Sequence, residues 1–249
     1  MLLHVGTMGW SYGFWKGNFY PETIATREFL VYYAKQFGSV EVESTFYRFP
    51  RSQSVANWKM QTPDDFLFSL KFPQIITHVK MLKNCEEETE LFLGRLELLK
   101  GKLGALLLQF PYTFGTKHVP LLSDFLSNLP SSNRYVVEVR NIMLLNSDFY
   151  SVLRDNNVAL AWVDSPFMPQ IREVTSDFIY VRFLGDRKRV RGTLGRIEVD
   201  RKAHINEWAK KLKPLVEEGT EVLGYFNKYY SGHSPSDAKE LLAIISTDM

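Results

Sequence analysis

Eight short stretches of β-branched, aromatic and aliphatic residues recur along this chain, and nearly every interval between them carries helical periodicity. Strands are expected at residues 3–7, 40–47, 66–71, 105–109, 135–139, 158–163, 178–182 and 222–226. Short apolar strands alternating with helices are the mark of a parallel sheet whose faces are covered by those helices. A count of eight favours one closed (β/α)8 TIM barrel over an open doubly wound sheet, with residues 1–249 forming a single domain. The first strand is not followed by a glycine-rich phosphate fingerprint, which argues against a dinucleotide-binding fold.

The helices follow from apolar spacing and from their end signals. Helices are expected over 27–37, 54–60, 87–100, 120–129, 147–156, 203–218 and 234–245. In the first, Phe29, Leu30, Tyr33, Ala34 and Phe37 share a face, Thr26 can cap the start and Gly38 follows the end. In the long one, Ile205, Trp208, Ala209, Leu212 and Val216 line up, and Pro214 is expected to kink it. Between Asp164 and Asp177 two prolines and no helical period occur, so the helix between strands six and seven is expected to be missing or vestigial.

Composition excludes several classes. The formal charge of +2 gives no global pull toward nucleic acid or membrane, so any basic character is local. Cys85 is the single cysteine, which rules out an intrachain disulfide and a cysteine metal cluster. No apolar run approaches the ~18 residues of a membrane span. Met1 leads almost directly into the first strand, leaving no room for a signal peptide, so a cytoplasmic protein without membrane partners is expected. Five histidines, with no His-x-x-x-His pair, argue against a tightly held metal, and no cofactor is expected. The absence of a Gly-x-Ser-x-Gly elbow disfavours a serine hydrolase.

What strands two to eight do carry is a polar residue near each C-terminal end, where barrel enzymes place their chemistry. The stretch Val40-Glu41-Val42-Glu43 puts two valines on one side and two acids on the other. Lys71 ends strand three, Gln109 strand four, Glu138 with Arg140 strand five, Asp164 strand six, Arg182 strand seven and Asn227 strand eight. Four acids against three bases nearly cancel, so the ring can be part-buried if each acid finds a cation. Glu41, two residues deeper than Glu43, is expected to be structural. Glu43, Glu138 and Asp164 are the acid/base candidates, and Glu43, Glu138 and Arg182 are expected to share one cleft.

Aromatics gather after the strands: Trp10, Tyr12, Phe46, Tyr47, Tyr112, Phe114, Trp162, Tyr229 and Tyr230. Such rings either stack on a sugar or base or pin the loops. His78 and His233 also follow strands. The segment 187–196 holds five basic residues after strand seven, a region that barrels often use for phosphate, and it is either an anion site or a solvated loop.

The succession Gly6-Thr7-Met8-Gly9-Trp10-Ser11-Tyr12, Val40-Glu41-Val42-Glu43-Ser44-Thr45-Phe46-Tyr47 and Lys71-Phe72-Pro73 with Thr77-His78 is similar to the YecE-like family, catalogued as domain of unknown function seventy-two. Leu108-Gln109-Phe110-Pro111, Glu138-Val139-Arg140, Tyr180-Val181-Arg182 and Tyr225-Phe226-Asn227 extend the resemblance over nearly the whole chain. It implies a TIM barrel and no established reaction. Asn141, Leu184 and Lys228 depart from the family pattern, the first two where a histidine is frequent. Members of the family have been likened to metal-dependent endonuclease barrels, a comparison that the scarcity of histidine here does not favour.

The expectation is therefore a hydrolase-like enzyme acting on an anionic, ring-containing small molecule or nucleotide. Glu43, Glu138 and Asp164 would supply acid/base chemistry; Trp10, Tyr47, Lys71, His78, Gln109, Arg140, Arg182 and Asn227 would bind the substrate. The alternative is a non-catalytic binder of nucleic acid or phosphate through the basic loop. Oligomeric state is left open.

Overall fold

The computed structural model describes residues 2–192 and 194–246, so Thr193 of the basic loop lies outside the described residues. The elements run β1 (Leu3–Thr7), α1 (Phe29–Ala34), β2 (Ser39–Val42), α2 (Ser44–Tyr47), α3 (Ser52–Met60), β3 (Leu67–Lys71), α4 (Glu86–Leu96), β4 (Leu103–Gln109), α5 (Val119–Ser127) and β5 (Tyr135–Glu138). They continue with α6 (Ser147–Asp155), β6 (Ala159–Leu160), β7 (Trp162–Asp164), β8 (Phe178–Phe183), α7 (Lys202–Glu217), β9 (Glu221–Phe226) and α8 (Ser234–Ser246). The chain divides into two compact units: one takes in residues up to Glu41, Val163–Gln170 and the chain from Tyr180 on, the other Val42–Trp162 and Ile171–Ile179.

The expected α/β class with parallel pairing is present. A four-stranded sheet has the order β1-β9-β8-β7, and a five-stranded sheet the order β2-β3-β4-β5-β6. The pairings β1/β9, β3/β4, β4/β5 and β5/β6 are all parallel. The strands pair within these two sheets, and the closed ring expected from their count is not shown by the pairings. The expected sixth strand is broken at Ala161 into β6 and β7.

In the first unit the aromatic segment after β1 is packing material. Trp15, Phe19 and Tyr20 are buried, and Tyr20 stacks on Phe29 of α1 with ring centroids 4.2 Å apart. The Tyr33 hydroxyl accepts from the Thr7 amide at 2.9 Å and donates to the Ser39 carbonyl at 3.0 Å, tying β1 to the start of β2. That approach leaves no space at Gly6, where an added Cβ would lie 2.1 Å from the Ser39 oxygen. Helix α7 buries Ile205, Trp208, Ala209, Leu212 and Val216, the five residues its spacing selects, and continues through Pro214.

In the second unit both faces of the central strands are buried, as a helix-covered parallel sheet requires: Phe68, Ser69, Leu70 and Leu106 through Leu108 are all closed to solvent. The segment 165–177 contains no helix, as its prolines foretell. Its later part is tied down by side chains. Thr175 Oγ1 accepts from the Leu160 amide at 2.8 Å and donates to the Val158 carbonyl at 2.6 Å, and Trp162 Nε1 donates to the Glu173 carbonyl at 2.9 Å. No helix among the described residues is long and apolar enough to cross a membrane.

Candidate functional site

In the second unit, β3, β4 and β5 lie side by side and each ends on a polar residue: Lys71, Gln109 and Glu138. Parallel register places Gln109 directly opposite Glu138, and the Phe72 amide continues the ladder to the Leu107 carbonyl. Lys71 is 8% exposed. Its amino group donates to Gln109 Oε1 at 2.8 Å and stands 3.9 Å from the centroid of the Phe46 ring. The ammonium is thus nearly desolvated, set over an aromatic face with a side-chain amide as acceptor. Gln109 is oriented by its own Nε2, which donates to the Phe110 carbonyl at 2.7 Å.

Glu138 is 1% exposed and pairs with Arg140, Nη2 to Oε1 at 2.5 Å. The arginine side chain keeps 29% of its surface, so the pair opens to solvent on the guanidinium side. Arg140 was expected on strand five. The strand ends at Glu138, and the Asn141 side chain accepts from the Met143 amide at 3.1 Å to start the next turn.

His78 sits on a π-helical turn, Ile75–Val79, closed by the Lys80 amide bonding to the Ile75 carbonyl. Its ring meets Phe46 edge-on at 4.9 Å, and Nδ1 lies 2.9 Å from Thr77 Oγ1. Burial lowers its pKa, and the nearby Lys71 charge lowers it further, which favours the neutral imidazole. Tyr47 and Tyr112, in the segments after β2 and β4, are 72% and 70% exposed. Phe114, by contrast, is wholly buried between Phe110 and His118, which makes it a loop pin.

Glu43 departs from the expected geometry. Its backbone is already helical (φ −81°, ψ −20°), because β2 stops at Val42 and α2 begins at Ser44. It therefore does not share a strand face with Glu41, and its side chain is half-buried.

In the first unit Glu41 is fully buried and Arg182 is 2% exposed. Arg182 Nε and Nη2 grip the two carboxylate oxygens at 2.9 and 2.7 Å, and the Tyr180 hydroxyl donates to Oε2 at 2.7 Å. Burial, then the Glu41 charge, pushes the Tyr180 phenol well above its ordinary range, so it stays a donor. Asp164 Oδ2 accepts from Trp208 Nε1 at 2.8 Å and from Tyr230 OH at 2.9 Å. Two neutral donors on one buried oxygen anchor α7 and the segment after β9; this geometry reads as structural. Asn227 Nδ2 faces Met8 Sδ at 3.3 Å while its Oδ1 accepts from the Tyr229 amide. Trp10 is half-buried, and its carbonyl accepts from the Tyr20 hydroxyl.

The basic loop is turned partly on itself. The Arg191 and Gly192 amides both donate to Glu198 Oε2, at 3.0 and 2.7 Å, so backbone donors that would suit a phosphate already hold a carboxylate. Arg187 stacks over Tyr229 at 4.8 Å. Val79, Ile142 and Met143, in the segments after β3 and β5, are large apolar residues that stand 68%, 56% and 68% exposed.

A row of polar strand ends on parallel β/α units, without a recognisable reaction motif, defines a class by fold before chemistry. The chain belongs to the DUF72 family, described as a protein of unknown function, whose model matches residues 4–249. It is 41% identical over 109 residues to the UPF0759 protein YecE of Escherichia coli K12, a stretch covering 44% of this chain and 40% of that protein. It is 24% identical over 277 residues to the UPF0759 protein YunF of Bacillus subtilis, covering 99% of this chain and 96% of that one. Among solved structures, a DUF72 family protein from Thermotoga maritima superposes with a TM-score of 0.85 at 28% identity, covering 98% of this chain and 99% of that one. A DUF72 family protein from Enterococcus faecalis gives 0.74 at 24% identity, covering 98% and 95%. The fold is thus that of the family.

Proposed function

We propose that the protein is a hydrolase-like enzyme that performs carboxylate acid/base chemistry on an anionic, ring-containing small molecule or nucleotide. The observation that carries this reading is the row Lys71–Gln109–Glu138 on three consecutive parallel strand ends. Lys71 neutralises the anion, Gln109 fixes its orientation, and the exposed rings of Tyr47 and Tyr112 stack on the ring portion. Glu138 is the first acid/base candidate, and Glu43 is the second. Two carboxylates divide acid and base roles when their surroundings differ, and the guanidinium beside Glu138 provides one such difference. Arg182 and Asp164, held by partners within their own unit, are assigned to structure. The same reading takes the strands as a (β/α)8 barrel, with β6 and β7 counted as one interrupted strand; the parallel pairings and the single residue between those two strands support it.

A thermal-shift screen of nucleoside monophosphates and sugar phosphates tests the binding half. A ligand at a hundred times its Kd stabilises by about 2.7 kcal/mol. Lys71→Met is expected to abolish the shift, whereas Glu138→Gln is expected to keep binding and lose turnover. A shift that survives Lys71→Met, with turnover unchanged in Glu138→Gln, overturns the assignment. The alternative nucleic-acid binder would instead show affinity falling steeply with salt and depending on Arg187 and Arg189.

A further inference from the structure

Helix α4 packs against α3, and α5 against α6, while α4 and α5 pack less closely on each other. The gap between them is a groove of about 840 Å³, lying wholly in the second unit. One wall is the α4 stripe Glu86, Glu90, Leu93 and Glu97, spaced by four, three and four residues so that all face one way. The other is formed by Leu121 and Phe125 of α5, four residues apart, with Leu129 just beyond the helix end. These apolar side chains are half-buried, as on a helix pair missing a third partner.

Its charge is one-sided. Glu86, Glu90, Glu97 and Asp124 line it against Lys83 alone among the lining bases. Beyond Leu93, Glu97 and Pro130 the groove continues into a second cavity of about 260 Å³ reaching Lys100 and Asn133. An elongated trough suits an extended occupant better than a compact one; α4 alone is roughly 16 Å long. The near end is built on backbone that costs energy to hold: Leu82 and Asn84, both lining the groove, have φ of 69° and 47°. Strain of this kind persists where surrounding structure fixes a binding contour.

We propose that the α4/α5 groove docks a basic, amphipathic helical segment of a partner protein. Leucine-like side chains would lie on Leu93, Leu121 and Phe125, while lysines or arginines would meet the carboxylates along the α4 rim. The site is separate from the polar strand ends and does not depend on the activity proposed for them.

The test uses the full chain and a fluorescein-labelled peptide of about 14 residues, leucine and lysine placed at amphipathic helical spacing. Anisotropy is expected to show saturable binding that weakens at least tenfold between low and high salt, with no binding of the leucine–glutamate counterpart. Glu90→Lys combined with Glu97→Lys is expected to weaken binding tenfold or more. Gly94→Trp fills the groove without touching the charges. An added Cβ there meets nothing within 4 Å, so the fold should tolerate it, and binding is expected to fall as far. Equal binding of both peptides, or binding indifferent to both variants, overturns the proposal. So does a dimer in light scattering that Gly94→Trp converts to monomer, because the occupant would then be a second copy of this chain.

Discussion

Two of the carboxylate–guanidinium pairs, Glu41–Arg182 in the first unit and Glu138–Arg140 in the second, share their chemistry and differ in their surroundings. Glu41 and Arg182 are sealed, joined by two hydrogen bonds, and given a third donor by Tyr180. Glu138 and Arg140 meet through one contact, with the carboxylate buried and the guanidinium part-open. In the first pair both charges are closed to solvent and each is held by the other. In the second, water or a ligand can reach the cation and so modulate the acid. An acid and a base of matching sequence signature thus serve architecture or chemistry according to which partner reaches solvent.

The largest expected effect removes the sealed acid. Glu41→Ala leaves the Arg182 guanidinium buried without its carboxylate and should cost about 3–5 kcal/mol in a denaturant titration. A loss below 1 kcal/mol would show that the pair is not the structural one. Next comes a buried acid in the same unit that lacks such a grip. Asp237 accepts from the Ser231 hydroxyl at 2.6 Å, and burial pushes its carboxyl up from 3.8 to about 7, an effect only partly offset by Ser231 and Arg201. A carboxyl whose pKa is raised in the folded state binds its proton more tightly there. Stability is then fullest below about pH 4 and falls as pH climbs toward 7. Asp237→Asn should flatten that decline and stabilise the protein at pH 8 by as much as about 3 kcal/mol. Parallel melting curves of variant and parent from pH 4 to 8 would refute this.

The open pair should be more forgiving. Glu138→Gln preserves shape while Arg140 turns to solvent, so a loss of about 1–2 kcal/mol is expected, well under that of Glu41→Ala. Equal losses at the two positions would erase the distinction drawn above. The smallest effect belongs to Glu43→Gln, at the half-buried start of α2, where urea midpoints should move by about 1 kcal/mol or less.

Much of this was readable in the chain. Helical spacing picked out the buried face of α7 residue by residue, and the two prolines after Asp164 foretold a crossover without a helix. The depth of Glu41 followed from alternation with valine. Alternation failed at Glu43, because Glu-Ser-Thr is also a helix-start sequence and that local preference ended the strand first. The partner of the Leu160 amide at the end of β6 is distant in sequence: Thr175 Oγ1, which accepts from it, lies fifteen residues on. Groove and pair geometry are likewise long-range properties: the spacing of α4 reveals which residues share a stripe, not what stands opposite it.

The π-helical turn at Ile75–Val79 bears on how this chain tolerates changes in length. A π turn accommodates one residue more than an α turn over the same rise. Deleting a single residue there would allow ordinary helical winding, and each step along an α-helix turns a side chain by about 100°. His78 would rotate off the Phe46 ring while β3 and α4 kept their places. The direction of that imidazole is therefore set by chain length as much as by residue identity, and a one-residue deletion upstream would redirect it as surely as replacing the histidine.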